Sequence, residues 1–128
     1  MRRHVVEKDV YAILTAVDED FDRGKEMFWK SAGYMNDRQK ADAEAVFTAS
    51  RNVCIQKILE AVRSGKSPED CVNVMYTVYT DTTVLFDRNT GGKAIPIFPK
   101  LNGFAVSPEW VSTREEMFEK MFKEMEVI

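Results

Sequence analysis

Apolar residues near the start of the chain fall at Val6, Val10, Ile13, Leu14, Val17 and Phe21, in steps of three and four. That spacing lines one face of an α-helix. Phe28, Ala32 and Met35 continue nearly the same face and Gly24 interrupts it. One long helix is therefore predicted up to about Gly33, kinked or broken near Gly24, where glycine costs about 1 kcal/mol relative to alanine. Asn36 then offers an N-cap, with Gln39 three residues on as its capping-box partner. A second helix is predicted from about Asp37 to Ser64, stopping at Gly65. Its apolar face runs through Ala43, Phe47, Cys54, Ile58 and Val62, and its length is roughly 40 Å at 1.5 Å per residue. Residues 1–66 thus read as a long antiparallel helical hairpin. Its outer apolar surface must be covered by the rest of the chain or by a second subunit.

Residues 67–128 read as a mixed α/β cap. Ser67-Pro68-Glu69-Asp70 is a helix start: a capping serine, proline at the first position, and acids at the positive end of the dipole. Cys71, Val72, Met75, Val78 and Tyr79 give a short third helix, although Val72, Val74, Tyr76 and Val78 also alternate as a strand would. The specific cap favours helix. From Thr82 to Asp87, β-branched and aromatic residues predict a strand, with a turn at Asn89-Thr90-Gly91-Gly92 and a return strand over Lys93–Phe98. Pro96 would place that return strand at an edge, and Leu101–Val106 offers a third short strand. Ser112 and Glu115 form another capping box ahead of a C-terminal amphipathic helix striped by Met117, Phe118, Met121, Phe122 and Met125. The predicted fold class is α+β in a single domain: helical hairpin, short third helix, small antiparallel sheet and closing helix.

The chain has 128 residues, 45% hydrophobic and 30% charged, with 18 Lys+Arg against 21 Asp+Glu for a net charge of −3. Such a balance suits one globular domain and excludes a disordered tail. Residues 1–64 carry 11 basic and 11 acidic residues and residues 65–128 carry 7 and 10. Bases and acids are interspersed, so no basic stripe for nucleic acid appears. The longest charge-free run, Cys71–Thr80, is far short of the ~20 apolar residues of a membrane helix. Arg2, Arg3 and His4 are followed at once by Glu7, Lys8 and Asp9, so no export signal is read there. Two cysteines, Cys54 and Cys71, do not make a disulfide framework. These features point to a cytoplasmic protein with reduced thiols.

Reactive motifs are few. Asp18, Asp20 and Asp22 begin like a calcium loop, but Arg23 and Trp29 stand where glycine and a bidentate glutamate belong. They read instead as a solvated acidic face. One histidine and two isolated cysteines cannot complete a zinc site, so neither metal nor cofactor is expected. Gly91-Gly92-Lys93 lacks the remaining parts of a phosphate loop. Cys71 sits in a helix's first turn, yet Glu69 and Asp70 oppose any lowering of its thiol pKa. No catalytic set emerges.

The odd residues are few too. Arg51 points from within the apolar stripe of the second helix, so it must snorkel, pair with an acid such as Asp81 or Glu44, or face a ligand. The turn holding Arg88, Gly91, Gly92 and Lys93 exposes backbone N–H groups beside basic side chains, an arrangement able to hold an anion. Trp29 lies off the first helix's stripe and, with aromatics such as Tyr79, offers a partner anchor or a second core layer. The leading expectation is a non-enzymatic protein-interaction module, adaptor or regulatory, self-associating through its helical hairpin. The alternative is a binding protein for a small anionic, nucleotide-like ligand built on Arg51 and the Arg88–Lys93 turn.

Overall fold

The structure, a computed structural model, describes residues 4–30, 36–89 and 108–126. Four helices run through those residues: α1 (Glu7–Lys30), α2 (Asp37–Arg63), α3 (Pro68–Asn89) and α4 (Pro108–Glu126). Their ends are set by local chemistry. Asp9 accepts from the Val6 backbone N–H at 3.2 Å, holding the first turn of α1. At α2, the Gln39 N–H donates to Asn36 Oδ1 at 2.8 Å, and the Asn36 N–H donates to Gln39 Oε1 at 2.9 Å. This is the predicted capping box. The same helix ends with Gly65 at φ 78°, where Gly65 N–H reaches Val62 O and Lys66 N–H reaches Ala61 O. That pair of bonds satisfies carbonyls left open by the helix end, and glycine adopts the left-handed geometry without a Cβ clash. Ser67 Oγ accepts from Asp70 N–H at 3.1 Å and starts α3.

The helices pack in a ring: α1 on α2, α2 on α3, α3 on α4, and α4 back on α1. Ion pairs fix the directions. Lys25 meets Glu44 at 2.7 Å and Arg51 meets Asp18, so α1 and α2 are antiparallel. Lys8–Glu124 at 2.7 Å and Asp20–Arg114 at 2.8 Å make α1 and α4 antiparallel as well. The result is a four-helix bundle. Its core holds Ile13, Val17, Phe47, Ile58, Met75 and Phe118, all fully buried. Among the described residues the buried core is shared about equally, ten residues from the hairpin and nine from α3 and α4, which close over it.

This overturns the expected α+β class: among the described residues there is no strand. The third helix is not short, because it continues through 82–87, where a strand was expected, and ends at Asn89. β-branching lowers helix propensity only slightly, and the described threonines of α3 turn their hydroxyls back to preceding carbonyls. Thr77, Thr80 and Thr82 donate to Asn73 O, Tyr76 O and Val78 O at 2.8–2.9 Å. Val72, Met75, Tyr79 and Thr82 meanwhile keep a buried seam at helical spacing. The return strand over 93–98 and the segment 101–106 lie outside the described residues. Helix α1 runs unbroken through Gly24, which is buried. The last helix begins at Pro108, four residues before the expected cap at Ser112. Proline at the first helical position followed by Glu109 is itself a start signal.

Candidate functional site

Asp20 lies on the inward face of α1, three residues after Val17 and four before Gly24. It is fully buried. A carboxylate in that position must be met by donors, because an unpaired buried charge is far too costly. Three residues on two other helices meet it. Tyr79, reaching across the bundle from α3, donates its hydroxyl to Oδ2 at 2.7 Å. The Trp110 indole N–H is shared between the two carboxylate oxygens at 3.1 Å each. Arg114 closes on both as a fork, Nη2 to Oδ1 at 2.8 Å and Nε to Oδ2 at 3.3 Å. Two-pronged guanidinium–carboxylate contacts of this kind combine charge with fixed geometry.

Aromatic packing holds the donors in place. Tyr79 stands edge-on to Phe21 at 5.5 Å and to Trp110 at 6.0 Å. The Arg114 guanidinium lies 5.9 Å from the Trp110 ring, a cation–π distance. Burial works against the Arg114 charge, but the Asp20 hydrogen bond and charge outweigh it and leave its pKa above the ordinary value. Burial, reinforced by the Asp20 charge, holds the Tyr79 phenol well above its usual range. The same two causes push the buried Cys54 thiol up to about 12. A nucleophilic thiol needs the opposite shift. The cluster therefore keeps its protons where they are and ties α1, α3 and α4 together.

Trp110 has a second role. Its ring, only 4% exposed, joins Val72, Tyr76 and Val111 as the apolar lining of an open groove of about 620 Å³ between α3 and α4. Glu69 and Glu115 stand in the same lining, and Tyr76 is 36% exposed. The donor network thus fixes the orientation of the largest ring in the groove.

The residues singled out from sequence are not brought together. Arg51 is ion-paired, but with Asp18, a partner not expected; its Nη1 also donates to Asn52 at 3.3 Å. Glu44 instead takes Lys25, and Asp81 is exposed on α3. Tyr79 is in the buried cluster. Trp29 is 37% exposed on α1, beyond the groove's helices. Arg88 belongs to α3, with its side chain outside the described part, and Gly91, Gly92 and Lys93 lie outside it altogether. Asp20, Trp110 and Arg114 were missed as a site. The available signal was an acid in the Ile13–Val17–Gly24 line, facing Trp110 and Arg114 at helical spacing ahead of Phe118.

No family model matches the chain, and neither curated proteins nor solved structures gave a match. Among the described residues, no helix is long and apolar enough to cross a membrane, and no three His, Cys, Asp or Glu residues gather as a metal site would need.

Proposed function

We propose that the chain is a non-enzymatic interaction module that docks a short segment of a partner protein in the groove between α3 and α4. The observation that carries this reading is the groove's aromatic and aliphatic lining, pinned from behind by the bond from Trp110 to Asp20. Rigid aromatic anchors in a concave site give partner recognition at low entropic cost. The acidic and nucleophilic groups of the core favour this reading over catalysis, since Asp20 is saturated with donors and Cys54 is held protonated. Self-association through the hairpin loses its motive, because α3 and α4 cover the seam that a second copy was expected to share.

A selection of short random peptides tests the proposal. Binders are expected to weaken about tenfold or more against Val111→Arg, a half-buried groove position, when one well-placed anchor is lost. The variant's melting temperature verifies its fold. Binders indifferent to Val111→Arg, or none at all, overturn the groove as a docking site. A dimer in sedimentation velocity that Val111→Arg abolishes would replace the foreign segment with a second copy.

A further inference from the structure

Resting on that reading, we infer that the groove selects a basic segment, seating a lysine or arginine side chain with its stem on the aromatic lining and its charge between Glu69 and Glu115. Both carboxylates line the groove. The helices around them reinforce the sign: residues 68–81 contain Glu69, Asp70 and Asp81 with no base. Residues 108–119 contain Glu109, Glu115, Glu116 and Glu119 with one base, Arg114. That arginine is turned inward, with its side chain 11% exposed and its fork on Asp20. The inner ion pair therefore turns that cation away from the groove. Among the described lining residues the charged side chains are Glu69 and Glu115, set beside an apolar floor. Long basic side chains match such a surface, burying their methylenes and keeping the charge at the wet edge. Tyr76 adds a ring face to attract a cation.

The test uses the full chain, isotope-labelled, and three helical peptides with the same leucines and with lysine, glutamine or glutamate at the remaining positions. The lysine peptide is expected to shift the Val72, Tyr76 and Val111 amides and the Trp110 indole, with the glutamine peptide weaker and the glutamate peptide silent. Glu69→Gln with Glu115→Gln is expected to weaken the lysine peptide about fivefold, two exposed ion pairs being lost. Added salt should narrow the gap between wild type and variant. Glu26→Gln with Asp42→Asn changes net charge equally at exposed sites elsewhere and should leave affinity unchanged. Equal groove binding by the lysine and glutamine peptides overturns the basic class while leaving the groove standing. An equal loss from the distant double variant reduces the effect to net charge and likewise overturns it. Groove signals unmoved by all three peptides count against the docking site itself.

Discussion

Asp18 and Asp20 sit two residues apart on α1, and each meets an arginine from another helix. The resemblance ends there. Asp18 and Arg51 have side chains 42% and 36% exposed, so water screens the pair and little stability depends on it. Asp20 is sealed, Arg114 nearly so, and two neutral donors complete the site. Removing one member there leaves charge or donors stranded in a low-dielectric interior. One turn of helix thus carries the same chemistry at two very different energetic stakes.

That contrast is sharpest under Asp20→Ala, which strands Arg114, Tyr79 and Trp110. A loss of about 3–5 kcal/mol is expected in chemical denaturation; a loss below about 1 kcal/mol would place the cluster with the surface pair. Alkali attacks only the buried side. Folding keeps the Cys54 thiol protonated up to about 12 against an ordinary 9.0. The unfolded chain therefore releases that proton first, and stability falls as pH rises through this window, by at most about 1.4 kcal/mol per unit. Thermal melts of Cys54→Ala should show a flatter decline than wild type. Tyr79→Phe removes one donor and leaves the ion pair, so about 1–3 kcal/mol should be lost. Smallest of all, Arg51→Met should move stability by about 1 kcal/mol or less. A larger drop would show that partial exposure does not neutralise the Asp18 pair.

The same contrast explains what was legible beforehand. Asn36, Gln39, Gly65 and Ser67 act through bonds to neighbours within three or four residues, so the edges of α2 and the start of α3 could be read directly. Residues 82–87 misled because β-branching is also a local preference, whereas α3 runs on through them to Asn89 and its buried seam reaches Thr82. Arg51 stood out as a charge in an apolar stripe, and pairing was a correct expectation even though the partner was not. Asp20 went unnoticed because neighbouring acids suggested a solvated face. Its meaning lies in Trp110 and Arg114, ninety or more residues away in the chain. Periodicity could set Asp20 on the inward line of α1, but it could not name those distant partners.

The dependence of Asp20 on α4 has a bearing on synthesis. While a ribosome still holds residues 108–126, Tyr79 is the one of these donors already made, among the described residues, for that carboxylate. A nascent product ending before Pro108 carries a penalty at its centre and should stay loose, open to chaperones and proteases. Arrival of α4 then supplies Trp110 and Arg114 together.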